Sequence, residues 1–203
     1  GLVAAGWWPQ PKFDGVFGKA TIFANGGGTM ESRTGEPITS CDHILTALFE
    51  QAQAQSGGWD SFVVLGELWH PTLPFPTISC DVRRHRASPH LQFVMNDILP
   101  VEMVTERTYR DRHADLFAFH AVRKSDALQS APAPVGLMAT AMQAAEDYVK
   151  CGGYDGLILR DPNGLFIPGR GTGGETIKIK PRAEGDFRVV GMADLAPAPD
   201  FRG

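Results

Sequence analysis

The residues best suited to chemistry in this chain begin with Lys12 and Asp14, separated by one residue and followed at once by Gly15, in the run Gln10-Pro11-Lys12-Phe13-Asp14-Gly15-Val16. Alternating apolar residues flank the run, which predicts the end of a strand turning tightly into the next. Side chains on a strand repeat every second residue, so Lys12 and Asp14 would share one side and place an amine and a carboxylate in one pocket. Gly15 would let a ligand approach the backbone closely. Taken alone, the tetrapeptide is better read as a surface ion pair in a hairpin; the rest of the chain shifts that balance.

Glu67 stands inside the apolar run Phe62 to Trp69. A carboxylate there is costly unless it is paired or bound to something, which makes it a site candidate over a strand-end glutamate facing water. In Thr176-Ile177-Lys178-Ile179-Lys180-Pro181, alternation puts both lysines on one face. Two adjacent ammonium groups repel, so the pattern suggests a polyanion beside them. Tyr154 to Arg160 reads as a strand with Asp155 at its mouth and Arg160 at its far end. Arg83, Arg84 and Arg86 fall on an expected loop, where a solvated charge run is the default and contact with a phosphate backbone the sharper alternative.

The elements that must carry these residues follow from periodicity. Residues 18 to 24 and 29 to 33 read as paired strands around the turn Asn25 to Gly28, which lacks the GK[ST] of a phosphate loop. Asp42 is expected to cap a helix bearing Ile44, Leu45, Leu48 and Phe49. Ser61 to Trp69 and Leu91 to Pro100 read as strands, residues 71 to 90 as proline-rich and then basic, and Tyr109, Arg112 and Leu116 as one helix face. Residues 124 to 134 look like a linker. Leu137 to Lys150 reads as an amphipathic helix with Leu137, Met138, Ala141, Met142, Ala145 and Val149 facing the core. The glycine-rich stretch from Pro168 to Gly174 reads as a hairpin, and residues 186 to 192 begin one more strand.

At 203 residues the chain can bury one good core. Its apolar stretches are too short to cross a bilayer, and no signal peptide precedes Lys12. Cys41, Cys80 and Cys151 are far apart and form no CxxC, so neither a zinc site nor a disulfide framework is indicated, which fits a reducing compartment. A net charge of -4 argues against a protein that coats itself with nucleic acid, though not against a local basic groove. The start without methionine and the ending Pro197-Ala198-Pro199-Asp200-Phe201-Arg202-Gly203 read as a trimmed fragment.

Taken in order, these stretches resemble the motifs of the covalent nucleotidyltransferases, most closely the ATP-dependent DNA ligases. Lys12-Phe13-Asp14-Gly15 is similar to the nucleophile motif KxDG, and Ser32-Arg33-Thr34-Gly35 to the serine-arginine segment after it. Gly66-Glu67-Leu68 resembles the third motif, and Phe93 to Leu99 the aromatic-rich strand that follows. Asp155 to Arg160 resembles the fourth motif and Lys178-Ile179-Lys180 the fifth. Asp186 to Gly191 looks like the first strand of an OB domain. Each motif is weak alone; five in order, spanning essentially the whole chain, are specific.

The resemblance implies an α+β fold of antiparallel β-sheets flanked by helices with a nucleotide groove between them. Residues 1–183 would form the nucleotidyltransferase (adenylation) domain and 184–203 the start of a truncated OB-fold domain. The lysine attacks the ATP α-phosphate, expels pyrophosphate and holds AMP as a phosphoramidate; AMP then passes to the 5′-phosphate of a nick, and the 3′-hydroxyl displaces it. By the same resemblance Lys12 is the nucleophile, Asp14 and Asp155 are the carboxylates for Mg2+ and phosphate chemistry, and Glu67 contacts the ribose or the metal. Arg33, Arg160, Lys178 and Lys180 bind phosphate, and Gln10 and Asn96 stand where relatives contact adenine. A lysine of ordinary pKa, about 10.4, is a poor nucleophile at neutral pH, and burial with neighbouring cations favours its neutral form. Nicked double-stranded DNA would be held by Arg33, Arg83, Arg84 and Arg86, in a monomer working in the cytoplasm, at the nucleoid or encoded by a virus, and not secreted. Repair, replication and recombination are the processes such a ligase serves.

Three positions depart from the family pattern. Phe17 stands where KxDGxR ends in arginine, and Asn96 where an aromatic stacks on adenine. Asp155 and Arg160 replace the usual glutamate and lysine of the fourth motif, which shortens one reach and changes the other's geometry. The rival enzymes are an RNA ligase and an mRNA-capping guanylyltransferase; the rival of another class is a nucleotide- or nucleic-acid-binding module without turnover. Without an OB domain to close over the triphosphate, slow AMP uptake and weak, salt-sensitive nick binding are expected.

Overall fold

The structure, a computed structural model, describes residues 6–55, 61–103, 105–122, 125–131, 141–151, 154–168 and 176–181. In chain order the elements are β1 (Trp8–Phe13), β2 (Val16–Ile22), β3 (Gly28–Glu31), α1 (Asp42–Gln53), β4 (Phe62–Trp69) and α2 (Phe75–Arg83). There follow β5 (Gln92–Pro100), α3 (Tyr109–Ala121), β6 (Leu128–Ser130), α4 (Ala141–Cys151), β7 (Tyr154–Arg160) and β8 (Thr176–Ile179). They build two sheets, one ordered β1-β7-β8 and the other β3-β2-β4-β5-β6. Every pairing is antiparallel except β5 with β6. The expected α+β architecture is present, with that one parallel pair added.

β1 and β2 do not form the hairpin suggested by their spacing. Only Asp14 and Gly15 separate them, yet they belong to different sheets. Phe13 explains the crossing: it is buried, and its ring meets Trp69 of β4 and Tyr154 of β7 edge-on, each at 5.1 Å between centroids. An aromatic side chain at the bend thus fills the seam between the sheets. Gly15 serves the same crossing. A Cβ there would lie 2.5 Å from the Leu68 carbonyl oxygen, so the passage of β4 against it already requires glycine.

The larger core lies on the five-stranded sheet, where Ile44 and Leu48 of α1 and Leu116 and Phe119 of α3 pack with Ile22, Phe93 and Met95. Asp97 of β5 and Arg112 of α3 are both buried and meet through two hydrogen bonds of 2.9 and 3.1 Å, fixing the helix to the strand. α3 opens on a reciprocal cap between Thr108 and Asp111, consistent with the expected helix face of Tyr109, Arg112 and Leu116. α4 covers the smaller sheet through Ala144 and Ala145 against Leu157 and Leu159. Val149, expected on that buried face, is exposed; Tyr148 packs there instead.

Three local expectations are corrected. Asp42 lies in the first turn of α1, with Cys41 at the N-cap and no side-chain cap bond; its charge still complements the helix dipole. The proline-rich stretch contains α2, because Pro74 precedes the helix and Pro76 falls in its first turn, where the missing N–H has no intrahelical partner to lose. The expected linker contains β6, paired with Phe93 to Met95. Residues 137–140, most of the glycine-rich hairpin and the whole strand from 186 to 192 lie outside the described residues.

Candidate active site

A cavity of about 360 Å³ opens between the two sheets. Lys12 and Phe13 reach it from β1, Phe17 from β2, Glu67 from β4, Asn96 from β5, Ile158 from β7 and Lys178 from β8; Arg33, Ser79 and Arg83 also line it. Its size falls within the usual range for small-molecule sites.

Lys12 donates to Oδ2 of Asp155 at 2.6 Å, and Nζ of Lys180 lies 2.5 Å from the same oxygen. The register explains why. Lys12 pairs with Gly156 and Phe13 with Tyr154, so Asp155 is the extra residue of a β-bulge, re-aimed at the lysine beside it. Gly156 permits the bulge: its φ is +133°, and a Cβ would lie 2.3 Å from the Ile179 carbonyl oxygen. The anticipated partnership of Lys12 with Asp14 is therefore replaced by one with Asp155. Asp14 sits in the bend after β1, where strand alternation no longer applies, and is not among the residues lining the cavity.

The charges act strongly on one another. Burial pushes the Glu67 carboxyl up to about 7, against the opposing pull of Lys12, Arg33 and Lys178, while Asp14 pushes it further up. Among the described residues Glu67 makes no ion pair. Partial burial opposes ionisation of Asp155, but hydrogen bonds from Lys12 and Lys180 outweigh it and hold the carboxyl below its ordinary value. Desolvation, then Arg33 and Lys12, lower the pKa of Lys178. Four cations, Lys12, Arg33, Lys178 and Lys180, thus gather around the carboxyls of Glu67 and Asp155, an excess of positive charge that favours binding a polyphosphate.

Gln10 and Arg160 form a separate cluster. Gln10 is 2% exposed, and its Oε1 accepts from Tyr109 Oη and Arg160 Nε, each at 3.1 Å. Arginine only donates, so this contact fixes the amide with its carbonyl inward. The Gln10 carbonyl, the atom that would accept from the adenine amino group if this residue contacted the base, is already occupied, and among the described residues its Nε2 is the buried side-chain group without a partner. Arg160 lies over the Tyr109 ring at 4.7 Å and does not line the cavity. Tyr109 also donates to the Asn96 carbonyl at 3.4 Å. Its helical spacing predicted burial, but nothing in that spacing marked the hydroxyl as the tie between Gln10 and Asn96.

The basic stretch separates by structure. Arg83, the last residue of α2, lines the cavity, while Arg84 pairs with Asp81 at 2.9 Å and donates to Cys80 Sγ; Arg86 is exposed on the loop beyond. Among the described residues no cluster of three His, Cys, Asp or Glu side chains can hold a metal, and no helix is long and apolar enough to cross a membrane.

No family model matches the sequence, and no curated protein matches it. Solved structures do. The fold superposes on Pmar-Lig_PreS3 with a TM-score of 0.73 at 18% identity, covering 86% of this chain and 42% of that one. The ATP-dependent DNA ligase of bacteriophage T7, in complex with ATP, gives 0.65 at 21% identity over 89% of this chain and 64% of that one. Chlorella virus DNA ligase-adenylate gives 0.61 at 20% identity over 86% and 62%. The chain spans less than two thirds of the length of each. With its two sheets and the cavity between them, the chain has the nucleotidyltransferase fold of the ATP-dependent DNA ligases.

Proposed function

We propose that this chain is the adenylation unit of an ATP-dependent DNA ligase, with residues 1–183 as the catalytic domain and 184–203 as the start of an OB domain. The observation that carries the reading is Lys12, set in the cavity between the sheets and held by Asp155, with Glu67, Lys178 and Arg33 around the same space. In this reading Lys12 Nζ attacks the α-phosphorus of ATP, the bond to the β-phosphate oxygen breaks, and pyrophosphate leaves. The lysine must first lose a proton and leave Asp155, since an ammonium ion has no lone pair to attack with. Lys178 and Lys180 offset charge developing on the phosphate oxygens, and Arg33 binds the phosphate chain. AMP then passes to the 5′-phosphate of nicked duplex DNA, for which Arg83, Arg84 and Arg86 supply exposed positive charge.

Mg2+ fits this donor set in a limited way. Glu67 and Asp155 offer carboxylate oxygens but no dedicated cage, matching an ion that prefers one or two carboxylates plus substrate phosphates. Bound there, it would supply neutralisation of phosphate charge. Asp14 would act from the bend, through its charge on Glu67.

The guanylyltransferase is the rival reading for the nucleotide, because Gln10 is buried in a cluster apart from the cavity and so does not select adenine there. Incubation with Mg2+ and α-labelled ATP or GTP separates the two. ATP-specific covalent label, discharged by pyrophosphate, absent from Lys12→Ala and passed to nicked DNA, is the expected result. GTP-specific label would favour capping, transfer to nicked RNA alone an RNA ligase, and reversible binding without label a non-catalytic module.

A further inference from the structure

Phe17 occupies a position with two unusual neighbours. In the β2–β4 ladder it stands directly opposite Glu67, and directly opposed residues share a face of the sheet. Two residues beyond it, Lys19 pairs with Glu31, and two residues beyond Glu31 comes Arg33. The Arg33 guanidinium lies over the Phe17 ring at 5.1 Å from its centroid. Arg33, Phe17 and Glu67 therefore run as a row across the sheet at the edge of the cavity that all three line.

Arg33 needs such a support. It lies in an exposed turn after β3, held by the Ser32 N–H to the Glu36 carbonyl at 2.8 Å and by Ser32 Oγ accepting from Glu36 N at 3.1 Å. Those bonds fix the backbone and leave the long side chain unrestrained. Among the described residues Arg33 makes no ion pair, although Glu67, a carboxylate without an ion-pair partner, lies in the same cavity. The two line one cavity, and the charge of Arg33 is felt at the Glu67 carboxyl, yet they do not pair.

We propose that Phe17 is a positioning residue for Arg33, its ring carrying the guanidinium over the cavity and standing between it and Glu67 so that the two do not pair. The aromatic ring attracts the cation without neutralising it, and leaves its N–H groups free for phosphate oxygens. This rests on the reading of the cavity as a polyphosphate site. It also gives the departure from KxDGxR a role: the ring does not replace an arginine but places another.

Two measurements on the 203-residue chain test it. The first needs no ligand: the Arg33 Nε–Hε resonance should be displaced by the Phe17 ring current, the displacement vanishing in Phe17→Leu and persisting in Phe17→Trp. The second is equilibrium binding of ATP with Mg2+. Phe17→Leu and Arg33→Ala should each weaken it by about threefold to tenfold, the size of a cation–π contact. The double variant should be no weaker than Arg33→Ala alone, and Phe17→Trp should restore affinity. An unshifted Arg33 resonance, or losses that multiply in the double variant, would overturn the proposal. Failure of the wild-type chain to bind ATP while the ring-current shift is present would overturn the polyphosphate reading and leave the positioning of Arg33 standing.

Discussion

The ammonium of Lys12 and the carboxylate of Asp155 meet at 2.6 Å although 143 residues separate them in sequence. A bulge in β7 makes the meeting possible, and Lys180 converges on the same oxygen. The site therefore holds its candidate nucleophile in an ion pair, and the proposed attack on ATP would have to begin by breaking it.

Replacing Asp155 by Asn removes that partner while keeping its shape. The rate of covalent labelling from α-labelled ATP should fall on the order of a hundredfold. The pair is partly open to water, so its loss should cost no more than about 1 kcal/mol, a few degrees in melting temperature. Because the Asp155 carboxyl is held below its ordinary value, its stabilising contribution is present above the usual carboxylate range and lost as pH falls through its lowered value. Asp155→Asn should flatten that acid limb of the melting profile. Wild-type labelling by this variant would remove Asp155 from the reaction.

Glu67 has the opposite sign. Its carboxyl is raised from 4.5 to about 7, so the native state keeps a proton that the unfolded chain releases between those values. Stability should fall as pH rises across that window, by about 3 kcal/mol at most. Glu67→Gln should therefore melt higher than the parent at pH 8 and nearly the same at pH 4, while labelling falls. Stability gained with function lost is the signature of a strained site residue. Equal melting temperatures at pH 8 would show that burial does not strain this group.

The Asp97–Arg112 pair tests the link between core and site. Arg112→Ala leaves a buried carboxylate alone and should cost about 3–5 kcal/mol in denaturant unfolding. Asp97→Leu with Arg112→Met should recover much of that loss, since an apolar pair can replace a buried ion pair. If the single variant loses less than about 1 kcal/mol, the pair is not what holds α3 to β5.

Gly156 should not tolerate a side chain. Alanine there combines an unfavourable φ with a Cβ 2.3 Å from a backbone oxygen of β8. Gly156→Ala should destabilise the chain by about 2–3 kcal/mol and reduce labelling by displacing Asp155 and the strand that carries Lys178. Unchanged melting would mean that the β7–β8 contact yields easily.

Much of the molecule was legible in the chain. Apolar runs placed strands at Ser61 to Trp69, Leu91 to Pro100 and Tyr154 to Arg160, each within one residue of the observed element, and helical spacing placed Tyr109, Arg112 and Leu116 on one buried face. A charge in an apolar run singled out Glu67, and the structure puts it in the cavity with Lys12 and Lys178. These features are local: period and composition decide which residues face a core, and they are written in consecutive residues.

What the chain did not disclose is everything that depends on which strand lies beside which. That Lys12 meets Asp155 and not its neighbour Asp14, that Lys12 and Phe17 stand on different sheets five residues apart, and that Phe17 lies under Arg33 all follow from pairing across long separations. Spacing specifies a side chain's face but not its partner. The partner is chosen when the buried surfaces of the whole fold close on one another, and in this protein that closure, through Phe13 at the seam and the bulge at Asp155, is what brings the charges together.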